Sequence, residues 1–390
     1  MDCLHRVMVN GLPQHQFEIL VVDNASSDGT PDLVAENFPE ITLVRLSKNG
    51  GAVAKNVAIR KARGEFVVVL DDDAFPHAGA VQQMVRHFRE DEKLAAAVFD
   101  VMLLDGTKEA AAYPDVFIGA GTGFRKSVLD RVGLFPHDFF MQAEEYDLSF
   151  RILEAGYSVR RFEDMPLTHL KSPDARTPHR ITGLDTRNNL YLLAKYIPAP
   201  LCHQLAADWL TRYFMMAAQR DAQGGGGPHP VFGSHRKCYL KGAAQGFAEW
   251  GRRRANGKHL LAAETIERIF KFKKIKARME QAVERVRGRR VIFADFGKNM
   301  LAYYLAAKEL GVEVLAINDD KLAAPGTAYR GVPILHASST PWSEADIVIV
   351  SNLSPVQAPP RAAALKRSHS LPVVDLFSHH GIQVNAHSKR

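Results

Sequence analysis

Three carboxylates stand side by side in "FVVVLDDDAFP" (66–76), as Asp71, Asp72 and Asp73. Like charges this close repel one another, and burial raises the cost, so the triplet calls for a cationic partner. A solvated turn in which Asp73 caps a helix starting near His77 would also accommodate it. The residues alone favour neither arrangement. A second acidic group, Glu144, Glu145 and Asp147, lies in "AEEYDLSFRILEAGYSV" (143–159). Carboxylates are favourable charges in the first turn of a helix, here over 145–155. His169, in "LTHL" (167–170), carries no chemistry by itself.

Elements must hold these groups in place. Val67, Val68, Val69 and Leu70 read as a strand buried on both faces, the kind found in parallel sheets. With "FEILVV" (17–22), "ITLVRL" (41–46) and "AAAVFDVML" (95–103) it alternates with helical stretches at about 30–37, 51–63 and 78–90. That alternation predicts an α/β domain with a largely parallel sheet. From about 180 to 222 the pattern is helical, broken by Pro198 and Pro200, and "GGGGP" (224–228) is a flexible break. Two basic helices follow, about 236–254 and 259–287, the second with an apolar stripe of Ile266, Ile269, Phe270, Met279, Val283 and Val286.

From Arg290 a second βα alternation predicts a small doubly wound domain. Its first turn, "ADFGKNM" (294–300), keeps only Gly297 where a dinucleotide cradle wants three glycines. Asp319 and Asp320, after the second strand, remain able to contact a ribose. A structural or regulatory role fits this domain better than redox chemistry. The predicted organisation is 1–200, a basic helical segment at 201–288, and a Rossmann-like domain at 289–390.

Composition agrees with a soluble globular chain of 390 residues, 46% hydrophobic and 24% charged. The net charge of +7 is unevenly spread. Residues 1–170 hold 17 Lys and Arg against 26 Asp and Glu, and residues 171–290 hold 24 against 9. No nucleic-acid partner is expected, because the basic part lacks a recognised binding motif or an aromatic stacking pattern. Cys3, Cys202 and Cys238 make neither a disulfide framework nor a zinc pattern, which suits a reducing cytoplasm.

Five motifs stand in a fixed order: "VVDNASSDGT" (21–30), "KNGGAVAKNVAIRKARGEF" (48–66) leading into "VVVLDDDAFP", "GAGTGFRKSVLDRVGLFP" (119–136), "FFMQAEEYDLSFRILEAGYSV" (139–159) and "LTHL" (167–170). Over about residues 3–200 the chain resembles the family 2 glycosyltransferases, inverting enzymes of the GT-A fold that use nucleotide-sugar donors. The resemblance implies a divalent metal, manganese or magnesium, which prefers hard oxygen ligands such as adjacent carboxylates. By the motif match, Asp73 holds the metal, His169 completes its shell, and Asp71 or Asp72 faces the ribose. Asp23, with Asn24 beside it, matches the contact to the base, and Lys55 a basic residue near the nucleotide. Glu145 falls on the family's catalytic base, with Glu144 and Asp147 in reserve. The glycines at 119–123 suit close backbone approach near the acceptor. Arg187 and Asn188 resemble a family Arg-Asn pair, which packing explains equally well.

Members of that family begin with a strand ending in a Pro-x-Tyr/Phe-Asn turn. Here Met1 opens directly into "DCLHRVMVN", which resembles the helix after that strand, so a longer natural protein is expected. The reading is a non-processive transferase adding one sugar to a glycan or lipid-linked acceptor. The alternative is a catalytically impaired nucleotide-sugar-binding or scaffold protein. A third reading makes the last domain an oxidoreductase or nucleotide-sugar sensor, since "AINDDK" and "YRGVPIL" resemble the small nucleotide-binding domain of some sugar acyltransferases. For "FKFKKIKAR" (270–278) two readings stand open: a peripheral contact with the inner face of an anionic membrane, or a helix packed on its own domain with its lysines solvated.

Overall fold

The computed structural model describes residues 2–9, 11–171, 178–223, 233–255 and 259–377; the "GGGGP" break lies outside them. Two compact units result, 1–111 with 115–176, and 112–114 with 177–390. Among the described residues no helix is long and apolar enough to cross a membrane.

In the first unit the elements are α1 (Asp2–Met8), β1 (Leu20–Asp23), α2 (Thr30–Asn37), β2 (Thr42–Arg45), α3 (Ala54–Lys61), β3 (Phe66–Leu70), β4 (Ala74–Pro76), α4 (Ala80–Glu90), β5 (Leu94–Leu103), β6 (Lys108–Glu109), β7 (Gly121–Arg125), α5 (Lys126–Val132), α6 (Glu144–Glu154) and β8 (Ser158–His169). β1 and β2 pair in parallel as a sheet of their own. The main sheet runs β3-β7-β5-β8-β4, with β6 added to β5. It is not largely parallel: β5–β8 is the parallel pair, whereas β3–β7, β5–β7, β4–β8 and β5–β6 are antiparallel.

The expectation of a parallel sheet failed because β7 was hidden by its glycines. A Cβ at Gly123 would lie 2.0 Å from Met84 Sδ, and one at Gly121 2.5 Å from Leu167 Cδ1. Small residues there let α4 and β8 press onto the strand. β3 pairs with β7 on one side, and most of its residues are half-buried rather than buried on both faces. Phe88, Leu94, Phe99, Val101, Met165 and Leu167 form the core beneath the sheet.

The second unit begins with α7 (Pro178–Tyr196), α8 (Leu201–Gln223), α9 (Ser234–Ala255), α10 (Ala263–Phe270) and α11 (Phe272–Val286). It continues with β9 (Arg290–Ala294), α12 (Met300–Glu309), β10 (Glu313–Asn318), β11 (Ala328–Tyr329), β12 (Val332–Leu335), β13 (Ile347–Val350), α13 (Ala358–Ser368) and β14 (Val373–Asp375). The strand order is β11-β12-β10-β9-β13-β14, parallel except for β11. The first strand is central and the order reverses beside it, which is doubly wound topology. In "YRGVPIL", Arg330 and Gly331 both take positive φ, making the tight turn between β11 and β12.

The stretch 259–287 is two helices. Lys271 turns left-handed at φ 57°, and the Glu267 carboxylate accepts the amides of Lys273 and Lys274, capping α11. Phe270 and Ile275 are buried in the core, Lys276 pairs with Glu309 at 2.7 Å, and Arg278 reaches the Leu376 carbonyl. Phe270 and Ile275 of "FKFKKIKAR" therefore pack on their own unit, as the second of the two readings expects. Arg187 donates to Asn188 Oδ1 at 2.9 Å and lies over the Tyr191 ring, as packing requires.

Candidate functional site

Register brings the acidic triplet to His169. β4 and β8 pair so that Ala74 faces His169, and the Leu170 amide donates to the Asp73 carbonyl at 2.9 Å. Asp71, Asp73 and His169 each offer one ligand atom, and these atoms lie within 4.8 Å of one another. His169 Nε2 is buried, 3.2 Å from Asp73 Oδ1, and makes no hydrogen bond. Two carboxylates and an imidazole with one unsatisfied buried nitrogen fit a divalent cation by donor chemistry. Asp72 is exposed and outside that group. Partial desolvation, then repulsion from Asp73 and Asp71, raises its pKa.

The triplet's cation within the chain is Lys55. Its Nζ donates to Asp71 Oδ1 at 2.7 Å and to the Gly119 carbonyl at 3.2 Å. Burial works against its charge, yet Asp71, with Glu144 and Glu145 nearby, raises its pKa above the ordinary value. A Cβ on Gly119 would sit 3.3 Å from Glu145 Oε1 and 3.6 Å from Lys55 Nζ. Gly119 is thus the point where the base candidate, the lysine and the triplet converge.

The three acids of α6 divide by environment. Asp147 is fully buried and binds Arg151, whose other nitrogens hold the carbonyls of Val132 and Leu134. That carboxylate is thus already engaged by a guanidinium on its own helix. Glu144 is buried with Oε2 unbonded, and desolvation followed by Glu145's charge pushes its pKa well above the carboxylate range. Glu145 is half-buried and faces the site. Ahead of them Phe140, Gln142 and Ala143 all take positive φ without being glycine, a strained approach to the helix.

Asp23 ends β1, where its Oδ1 accepts the Ser26 amide at 3.2 Å. Asn24 is occupied: its Oδ1 accepts the Gly50 amide at 2.8 Å and its Nδ2 donates to the Gly51 carbonyl at 3.2 Å. Its amide braces the loop before α3, the helix that carries Lys55. In the second unit Asp319 accepts the amides of Phe296, Lys321 and Leu322, and Asp320 that of Ala337. Both are tied to local backbone.

One residue escaped the sequence altogether. Glu109 Oε2 accepts from His169 Nδ1 at 2.6 Å, and its Oε1 takes Lys171 Nζ at 2.5 Å. Burial works against its charge, but these two hydrogen bonds hold its pKa down at about 2. For His169, burial opposes protonation while Glu109, Asp73 and Asp71 favour it, and the net shift is upward. The available signal was Asp105-Gly106, a hairpin turn that makes β6 the partner of β5.

Residues 2–133 match the family described as "Glycosyl transferase family 2". Glycosyltransferase AglE of Haloferax volcanii is 25% identical over 191 residues, covering 44% of this chain and 62% of that protein. Succinoglycan biosynthesis protein ExoO of Rhizobium meliloti is 34% identical over 110 residues, covering 27% and 32%. The chain thus spans less than two thirds of the length of either relative. A mannosyltransferase of Pyrobaculum calidifontis, solved with GDP-Man and Mn2+, superposes with TM-score 0.44 at 22% identity, covering 63% of this chain and 82% of that one.

Proposed function

Because residues 2–133 match the glycosyl transferase family 2 model, we propose that this chain is an inverting, non-processive glycosyltransferase. It moves one sugar from a nucleoside-diphosphate sugar to a hydroxyl of a glycan or lipid-linked acceptor. The observation that carries the reading is the convergence of the Asp71–Asp73–His169 group with Lys55 and Glu145 around Gly119.

Asp71, Asp73 and His169 would hold a divalent cation, which supplies positive charge opposite the donor's diphosphate. Lys55 fixes Asp71 and keeps its own charge beside the diphosphate's place. Asp23, at the end of β1, would face the base. Glu145 takes the proton from the acceptor hydroxyl as its oxygen bonds to the anomeric carbon. The bond from that carbon to the diphosphate oxygen breaks on the opposite face, its electron pair leaves with the nucleoside diphosphate, and configuration inverts. Glu144 is the harder of the two to ionise, because its burial and then its neighbour's charge raise its pKa. It therefore leaves the base role to its neighbour.

The test is release of nucleoside diphosphate from UDP-, GDP- and dTDP-sugars with manganese, magnesium or chelator. Metal-dependent release from one donor class, with the sugar transferred to an added acceptor in inverted configuration, is the expected result. No release from any donor by a chain that binds them would instead favour a binding or scaffold role.

A further inference from the structure

β5 separates two residues that its flanking strands bring together. Glu109 on β6 lies opposite Val101, and His169 on β8 lies opposite Leu103, two residues further along the same strand. Val101 and Leu103 point to the same face, so Glu109 and His169 do too. Two strand spacings, about 10 Å, separate their backbones, and the long glutamate side chain crosses β5 to reach the imidazole. The resulting bond, Nδ1 to Oε2 at 2.6 Å, is the short kind made to an ionised acceptor. Lys171, left-handed at φ 52°, folds back to hold the other carboxylate oxygen.

We propose that Glu109 is a positioning residue: by accepting the Nδ1 proton of His169 it leaves Nε2 as a bare lone pair aimed at the Asp71 and Asp73 carboxylates, and thereby sets the chain's affinity for a divalent cation. In the neutral ring the single hydrogen belongs on Nδ1, which makes the 2.6 Å bond to a carboxylate with no proton to donate, and not on Nε2, which makes no hydrogen bond to Asp73 at 3.2 Å. The opposite nitrogen is then the ligand atom, and it is the buried one without a hydrogen bond. Residues behind a metal-binding histidine fix its tautomer and ring orientation, and their loss typically lowers metal affinity 10–100-fold. The inference rests on the divalent-cation reading of the Asp71–Asp73–His169 group.

The experiment uses the full chain and two readouts that need no turnover. Free Mn2+ is followed by electron paramagnetic resonance in titrations of the wild type, Glu109→Ala, Glu109→Gln and Asp73→Ala. The His169 tautomer is read from 15N shifts in metal-free protein, at a pH where the ring is neutral. The wild type should show the Nδ1–H tautomer. Glu109→Ala should bind Mn2+ about 10–100-fold more weakly, with a mixed tautomer. Glu109→Gln, whose amide oxygen still accepts the proton, should lose less. Mn2+ affinity unchanged in Glu109→Ala, or an Nε2–H tautomer in the wild type, overturns the proposal. Wild type that binds no Mn2+ removes the cation reading itself and this inference with it. Should the alanine variant fail to fold, the wild-type tautomer and the glutamine variant decide.

Discussion

Asp73 and Asp71 look alike in the sequence, but the structure gives them different neighbours. Asp71 is neutralised by Lys55, whereas Asp73 lies against the unbonded nitrogen of His169. Asp73→Ala should therefore abolish metal-dependent donor binding and leave the fold intact, since removing one of three crowded anions costs little without metal. Calorimetry with a nucleotide-sugar in manganese and in chelator checks this; equal manganese dependence in the mutant rules it out. Glu145→Gln should lower turnover by about 10²–10⁴, the usual share of a general base, with donor affinity little changed. Near-normal turnover would pass the role to Glu144. At this scale the sequence was most legible where a motif existed, as for the triplet, Lys55, Glu145 and His169. Glu109 was missed because its partner is 60 residues away across β5: Asp105-Gly106 announces the β5–β6 hairpin, but no local pattern announces the pairing of β5 with β8.

At the scale of elements, the helix that carries Glu144 and Glu145 is placed from outside. Gly51 takes φ 65°, and its Cα lies so close to the preceding loop that a Cβ would meet Phe140 O at 2.1 Å. The next amide, Ala52, donates to the same carbonyl at 2.6 Å. Gly51→Ala would combine a left-handed backbone with a clash against main chain, costing roughly 2–4 kcal/mol. It should also displace the 140–143 approach, so turnover falls while Mn2+ affinity holds. Thermal unfolding with a paired Mn2+ titration tests this; a variant as stable as the wild type would show the loop free to yield. The helices α2, α3, α4 and α6 and the strands β1, β2, β3 and β5 were legible because their apolar patterns are clean. β7 and the break at Lys271 were not: glycines disguise the first, and the second falls where neither glycine nor proline marks it.

For the whole molecule, the charge segregation seen in the composition has a structural share. In the basic segment Arg212 holds the Phe296 carbonyl and Arg254 that of Ile197, and beyond it Arg330 holds the Asp208 carboxylate. Charge counts report none of this, which is why the sequence alone left both a membrane contact and a packed helix open for residues 270–278. The acidic unit has the opposite trait, a carboxyl whose ionisation works against folding. Burial, then Glu145's charge, raises the folded-state pKa of Glu144 well above its unfolded value. Such a group binds more protons in the native state than in the unfolded chain. Stability is then fully present below the unfolded pKa of about 4.5 and falls as pH rises from there through the folded value. Glu144→Gln, which keeps the shape and removes the titration, should match the wild type near pH 4 and exceed it at pH 8. Chemical denaturation of both proteins, metal-free, at a series of pH values reads the difference. A gap that grows with pH supports a protonated Glu144 beside the base. A gap that is constant, or that shrinks, means Glu144 ionises as easily in the fold as outside it and returns it to contention as the base.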